Sequence, residues 1–131
     1  MAEVVYTRPL IDKLGVKPGA RVALIEIDDQ EFRRALADRT RDITEGDPLP
    51  ETDIVFLGIE DGSGLGRLAS LRERLVPNGS IWVVSRKGKA ATVRDIEVMA
   101  AGKVAGLVDN KVVSFSAERT SIRLVIPLAL R

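Results

Sequence analysis

Three short apolar runs constrain the fold more than any other feature of the sequence. They cover residues 21–27, 53–59 and 80–84, and each is followed by a segment whose apolar residues recur at helical spacing. A strand that is apolar on both faces is typical of a parallel sheet covered by helices on its two sides. The intervening helical segments supply the crossovers that parallel strands need. The sequence therefore predicts an α/β domain with a mostly parallel sheet.

Two further strands are predicted at the end of the chain, over residues 111–116 and 122–126. The polar loop between them contains Glu118, Arg119 and Thr120 and is too short for a helical crossover. The two strands must therefore run antiparallel and form a C-terminal hairpin. A short edge strand is expected near Ile43. With 131 residues and no internal repeat or linker, the chain is expected to form a single domain over residues 1–131.

Capping residues and glycines predict where the helices begin and end. Thr7 is expected to cap a short first helix that stops at Gly15. Asp28 or Asp29 is expected to cap the second helix, and a third is expected over residues 65–75, before a turn at 77–79. A fourth helix is predicted to start with a capping box at Thr92 and Asp95, to end at Gly106, and to face the core with Ile96, Met99, Ala100 and Val104.

Two segments resemble parts of the class I methyltransferase fold. Residues 15–25 are similar to the lead-in to its first strand. Residues 75–84 are similar to the start of its fifth strand, which is usually written L-x-P-G-G-x-hydrophobic. A mostly parallel sheet that ends in a reversed hairpin is also the topology of that fold. The resemblance implies a reduced, Rossmann-like methyltransferase fold with helices on both faces.

A closer resemblance is to a small bacterial family of unknown function. Its members pair an opening of the form Leu14-Gly15-x-Lys17-Pro18-Gly19 with a later Gly-x-Ile-Trp-Val phrase and a lysine after it. In this chain the second phrase occupies residues 79–84 and the lysine is Lys87. The similarity runs from Pro9 to Pro127. It implies a reduced methyltransferase-like core and supplies no known activity.

The segment 60–66 has the most specific chemical signature in the chain. It reads acid-x-Gly-x-Gly-x-Gly, which resembles the S-adenosylmethionine loop of class I methyltransferases, so cofactor binding would fall to Glu60, Gly62, Gly64 and Gly66. However, this segment follows the second apolar run rather than the first. An acid that could hold a ribose is also missing after the next strand, where the chain has Ser85, Arg86 and Lys87. The simpler interpretation is a flexible connection between a strand and a helix.

The resemblance places the usual cofactor loop directly after the first strand, and there the sequence has no glycine. Residues 26–31 instead offer as many as four carboxylates. Glycines at this point let the backbone approach a ligand and aim a helix N-terminus at it. Their absence argues against S-adenosylmethionine binding at the usual place. The simpler role of Asp28 or Asp29 is to cap the following helix.

A group of charged residues is expected to share one rim of the sheet. Ligands of open α/β sheets bind beyond the carboxyl ends of the parallel strands. The predicted rim residues are Asp28, Asp29, Arg86, Lys87 and Lys89. The cations could bind a ligand that carries a phosphate or carboxylate, or they could pair with the neighbouring acids.

Composition removes several mechanisms from consideration. The chain has no cysteine and no histidine, which excludes disulfides, thiolate metal sites and catalysis by a histidine base. Its net charge of +1 gives no argument for nucleic-acid binding, although a local basic cluster is compatible with it. No apolar run approaches the roughly 18 residues of a membrane span, and no signal peptide is recognised, so a cytoplasmic location is expected. Trp82 is expected in the core. We predict neither a metal site nor a catalytic residue.

These observations support one main hypothesis and two alternatives. The main hypothesis is a small, non-catalytic binding or regulatory domain that has lost the usual S-adenosylmethionine loop and has no cofactor. The first alternative is a divergent methyltransferase that binds S-adenosylmethionine through residues 60–66. The second is an interaction subunit of a homo- or hetero-oligomer, a homodimer included, for which the apolar tail at residues 126–130 could provide a surface.

Overall fold

The computed structural model describes residues 8–131, which form one six-stranded sheet with helices on both faces. The strands are β1 (Val22–Ile25), β2 (Ile43–Glu45), β3 (Thr52–Gly58), β4 (Leu75–Arg86), β5 (Val108–Ser114) and β6 (Arg119–Val125). Their order is β2-β1-β3-β4-β6-β5. The first four strands pair in parallel, and β6 runs antiparallel to both β4 and β5. The predicted fold class, its C-terminal hairpin and its edge strand at Ile43 are confirmed.

The helices are α1 (Leu10–Lys13), α2 (Gln30–Arg39), α3 (Leu68–Arg72) and α4 (Asp95–Val104). Short 3₁₀ turns occupy Gly62–Arg67, Gly88–Ala90 and Leu128–Leu130. Of the two candidates for the α2 cap, Asp29 is the one that accepts a hydrogen bond, at 3.0 Å from the Phe32 N–H. Gly15 ends the α1 segment with a φ of 74°, as expected of a left-handed stop. The predicted cap Thr7 lies outside the described residues.

Two apolar layers enclose the sheet. One layer lies beneath α1 and α2 and contains Ile11, Phe32 and Leu36. The other lies beneath α3 and α4, with Leu68 and Val98 among its members. Trp82 is fully buried in the first layer, and its Nε1–H donates to the Leu14 carbonyl oxygen at 3.1 Å. This bond ties the end of α1 to β4, one of the two central strands of the sheet. The burial of Trp82 confirms its predicted core position.

The predicted core face of α4 is wrong. Ile96 and Val104 are 65% and 91% exposed, whereas Val98 and Gly102 are the buried residues of the helix. A Cβ at Gly102 would lie 3.1 Å from Leu124 Cδ2, so the absence of a side chain is what lets α4 approach β6. Helix α4 contacts the sheet through small residues. A prediction based on the spacing of large apolar side chains therefore assigns the wrong face to the core. The helix is also capped two residues later than Thr92, by Arg94, whose N–H donates to the Glu97 carboxylate at 3.3 Å.

The bounds of β4, α3 and the hairpin strands also differ from expectation. Strand β4 begins at Leu75 rather than at residue 80. The partner of Thr52 is Leu75, but the partner of Ile54 is already Ser80, so the predicted turn at 77–79 is accommodated as a bulge inside the strand. Helix α3 accordingly ends at Arg72. Arg119 and Thr120 belong to β6 rather than to the predicted hairpin loop: Arg119 pairs with β4, and Thr120 pairs with both β4 and β5.

Candidate functional site

The carboxyl ends of β1, β3 and β4 meet at one edge of the sheet, which we call the carboxyl edge. The segments that follow these three strands are residues 26–29, 59–66 and 87–90. Because β6 runs in the opposite direction, its first residue Arg119 also lies there, directly paired with Arg86. The predicted site residues therefore belong to a single edge. Arg119 joins them although the sequence pattern placed it in a loop, and only the antiparallel register of β6 reveals it.

Glu60 holds together three segments of this edge. Its Oε2 accepts a hydrogen bond from Arg86 Nε at 3.0 Å, and its Oε1 accepts one from Arg119 Nη2 at 3.2 Å. The hydrogen bond from Arg86, followed by that from Arg119, holds the pKa of Glu60 below its ordinary value. The Glu60 carbonyl oxygen also accepts from Thr92 Oγ1. Glu60 is thus a fixed carboxylate whose charge is already matched by two guanidinium groups.

The glycine segment is wound against the end of β3. Asp61 caps the 3₁₀ turn Gly62–Arg67, with its Oδ1 accepting from the Ser63 N–H at 2.8 Å. The Ser63 hydroxyl and then the Ser63 N–H lower the pKa of Asp61. A Cβ at Gly64 would lie 2.5 Å from Ile59 Cγ2, so this glycine is required by packing. Nothing lies within 4 Å of a Cβ at Gly62 or at Gly66, and neither has a positive φ.

The switch point of the sheet lies between β1 and β3, because α2 and α3 cover opposite faces. Open α/β sheets bind ligands at such a point, in the crevice beyond the strand ends. Here the two strand ends are in backbone contact, since a Cβ at Gly58 would lie 2.1 Å from the Glu26 carbonyl oxygen. Glu26 itself turns the chain with a φ of 55°, a value that normally favours glycine. The signal that sequence reasoning missed is Gly58, the last residue of β3.

The other predicted rim residues are less closely associated. Asp29 is engaged as the cap of α2, and the exposed Asp28 contributes its carbonyl oxygen to Gln30 Nε2 at 3.1 Å. Lys87 Nζ donates to Ser114 Oγ at 2.6 Å. Across residues 8–131, no ion pair joins Asp28 or Asp29 to a cation, and none involves Lys89. The structure therefore brings Arg86 into contact with Glu60 and leaves the two aspartates apart from them. Ligand binding by this rim stays a prediction.

Four cavities of 240 to 570 Å³ open on the described surface, and none is lined by residues 60–66 or 86–89. The one that reaches the carboxyl edge measures 490 Å³, lies between α1, α2 and the hairpin loop, and has Asp29, Phe32 and Phe115 in its wall. Two others, of 360 and 240 Å³, adjoin the turn at residues 14–20. The largest, of 570 Å³, lies beside the end of α2. The glycine segment thus borders no cavity in this group.

Within residues 8–131, no group of three or more acidic side chains is arranged to hold a metal ion. No helix in the same range is long and apolar enough to cross a membrane.

Topology and edge together define a class of protein. A sheet that is parallel over its first four strands and closed by a reversed hairpin is a reduced, Rossmann-like methyltransferase fold. The chain belongs to the family described as "Protein of unknown function (DUF3052)", which matches residues 11–128. No curated protein matches the chain.

Solved structures of methyltransferases share the fold. The chain superposes with a TM-score of 0.64 and 14% identity on a chain from the complex between the Haloferax volcanii Trm112 methyltransferase activator and a protein described as a methyltransferase, covering 90% of this chain and 86% of that one. An S-adenosylmethionine-dependent methyltransferase from Aquifex aeolicus gives a TM-score of 0.57 at 14% identity, over 89% and 88%. The pyocyanin biosynthetic protein PhzM gives 0.57 at 16%, over 87% of this chain but 52% of its own length. At such identities the likeness concerns the fold alone, and the chain spans about half of PhzM.

Proposed function

We propose that this chain is a non-catalytic binding or regulatory domain built on a methyltransferase-like sheet that no longer uses the S-adenosylmethionine site. The backbone contact between Glu26 and Gly58 carries this proposal. It lies at the switch point of the sheet, where an open α/β fold offers its ligand crevice. The contact leaves no room for a side chain at Gly58, and the segment after β1 has no glycine through which the backbone could approach a cofactor.

The side chains of the carboxyl edge support the same conclusion. A general base that works near neutral pH needs a pKa close to neutrality, which for a carboxylic acid means a raised one. The carboxyl groups of Glu60 and Asp61 have lowered pKa values instead. Glu60 is also occupied by Arg86 and Arg119, so it is not a spare acceptor for a ribose hydroxyl.

Calorimetric titration with S-adenosylmethionine and S-adenosylhomocysteine tests this proposal. We expect no saturable binding at ligand concentrations up to roughly 1 mM, which corresponds to a binding free energy weaker than about 4 kcal/mol. The methyltransferase alternative requires the opposite result. A micromolar Kd that is lost in Gly62→Val and in Gly66→Val would establish it, because both positions have room for a side chain. Gly64→Val is unsuitable, since it would collide with Ile59.

A second candidate function is an interaction subunit, and the end of the chain supports it. Ile126 is buried, but Leu128 and Leu130 are 79% and 62% exposed. The edge strand β5 also exposes Val112. An edge strand with free backbone groups and apolar side chains can pair with another chain. The oligomeric state in solution is the measurement that separates this candidate from the first.

A further inference from the structure

A cavity with cationic side chains in its wall lies at the edge of the sheet opposite to the carboxyl edge. It measures 360 Å³ and is lined by the turn that precedes β1, the start of β3, the bulge of β4 and Arg123 of β6. A smaller cavity of 240 Å³ adjoins it and shares four lining residues, namely Leu14, Gly15, Lys17 and Arg123. The two form one continuous depression, which we call the basic groove.

Positive charge is concentrated in this groove although the chain as a whole is nearly neutral. Its five basic lining residues are Arg8, Lys13, Lys17, Lys111 and Arg123. The two acidic ones are already engaged elsewhere. Asp12 pairs with Arg39 Nη2 at 2.8 Å, and Asp53 Oδ2 accepts the Arg21 N–H at 2.8 Å. The groove therefore has an excess of cations that its own acids do not offset.

Arg123 is the central cation of the groove. It lies on β6 between Trp82 of β4 and Lys111 of β5, in one cross-strand row, and it is half-buried. Among the residues that the structure describes, its guanidinium has no hydrogen-bond partner and no ion pair. Burial, and secondly the charge of Arg131, lower the pKa of Arg123. A desolvated guanidinium without a counter-ion is unfavourable, and a bound anion would relieve that cost.

Polar groups suited to an anion line the same cavity. Ser80 and Asn78 are among the lining residues, and their hydroxyl and amide groups can donate hydrogen bonds to an anion. The turn on the other side is held open by Gly15 and Gly19, which both have positive φ values. Lys111 Nζ donates to the Lys13 carbonyl oxygen at 2.9 Å, so the groove's far wall is fixed to α1.

We propose that the basic groove binds the phosphate group of a small molecule, with Arg123 and Lys17 as its principal cations. The proposal deepens the binding role given above by naming a ligand class and a site away from the carboxyl edge. Arginine matches phosphate oxygens with paired N–H donors. A groove with several cations is also better matched in charge by a multiply charged phosphate than by a single carboxylate. A concave volume of 360 Å³ falls in the range of small-molecule sites and suits a small ligand better than an extended polyanion.

Pyrophosphate is the probe that tests the groove, by calorimetric titration at fixed ionic strength. We expect saturable binding with a Kd below about 1 mM. Arg123→Gln should weaken it by roughly tenfold or more, as loss of a charge-assisted bidentate contact implies, and Lys17→Gln by severalfold. The matched control is Arg34→Gln, the same substitution at an exposed residue of α2, which should leave the Kd unchanged. Lys17 is exposed, so its variant remains informative even if Arg123→Gln were to misfold.

Three outcomes would overturn the proposal. They are an absence of pyrophosphate binding, an equal effect of Arg34→Gln and Arg123→Gln, and equally tight binding of malonate, which would assign the groove to carboxylates. The titration is independent of the S-adenosylmethionine experiment. Cofactor binding that survives Arg123→Gln would contradict the proposed loss of the carboxyl-edge site and leave the groove in place. Failure of pyrophosphate binding would contradict the proposal for the basic groove and leave the proposed loss of the carboxyl-edge site in place.

Discussion

Single residues explain most of the contrast between the two edges of the sheet. At the carboxyl edge, Glu60 is neutralised by Arg86 and Arg119, and Gly58 brings β3 against the backbone of Glu26. At the opposite edge, Arg123 has no such partner in the described chain. A charge that is matched within the protein stabilises its architecture, whereas a half-buried charge without a partner is one that a bound anion would stabilise. The better candidate for a ligand site is therefore the basic groove and not the glycine segment 60–66.

The glycines of that motif can be separated by their effect on stability. Gly64→Ala should lower the free energy of unfolding by about 1–3 kcal/mol, because the new Cβ would lie 2.5 Å from Ile59 Cγ2 in a buried contact. Gly62→Ala should be neutral or stabilising by about 0.5–1 kcal/mol, since its Cβ meets nothing and the unfolded chain loses freedom. Chemical denaturation of both variants measures the difference. Equal effects at the two positions would contradict the packing role of Gly64.

The elements of the fold were largely predictable because their signals are local. Three buried strands follow from continuous apolar runs, and the reversed hairpin follows from a loop too short for a crossover. The predictions are wrong where contacts between residues distant in sequence determine the structure. The core face of α4 is set by the close approach of Gly102 to Leu124, and the bulge in β4 is set by its register with β3. Neither is visible in the spacing of large apolar residues.

The candidate sites follow the same division. The loops after β1, β3 and β4 share an edge because these strands are parallel, and the sequence predicted this arrangement. The ion pairs of Glu60 depend on Arg119, which the antiparallel register of β6 places beside Arg86. The basic groove depends on residues from five separate segments. Such groupings arise from contacts distant in sequence, and a single sequence without an alignment contains no signal for them.

The packing of α4 against the sheet gives a prediction at the scale of one element. Gly102→Val should destabilise the domain by about 1–3 kcal/mol, because the side chain would have to displace Leu124, which is fully buried. Ala100→Val, on the exposed side of the same helix, should cost only the helix-propensity difference of roughly 0.7 kcal/mol or less. Thermal or chemical unfolding distinguishes the two. A larger loss for Ala100→Val would restore the face that the sequence pattern predicted.

At the scale of the whole molecule, the question is whether the domain acts alone. The large apolar side chains exposed in the described part of the chain are Leu49, Ile96, Val104, Val108, Val112, Leu128 and Leu130. They belong to the connection between β2 and β3, to α4, to β5 and to the tail, so most of them are separated in sequence and element. Singly exposed apolar residues are common on monomeric proteins, whereas interfaces present contiguous patches. In the tail, two such side chains, Leu128 and Leu130, are only two residues apart.

We therefore expect light scattering to give the mass of a monomer, 14.2 kDa, with no increase as the protein concentration is raised from micromolar to about millimolar. The binding-domain proposal requires no partner copy, and the basic groove is built within a single chain. A dimer would instead favour the interaction-subunit alternative, and the tail would then be its first candidate surface. In that event Leu128→Ser with Leu130→Ser should return the protein to a monomer, while Ile96→Ser with Val104→Ser, equally exposed but on α4, should not. A dimer indifferent to the tail and dependent on Val112 would assign the contact to the edge strand β5, because pairing there needs backbone groups that only an edge strand leaves free.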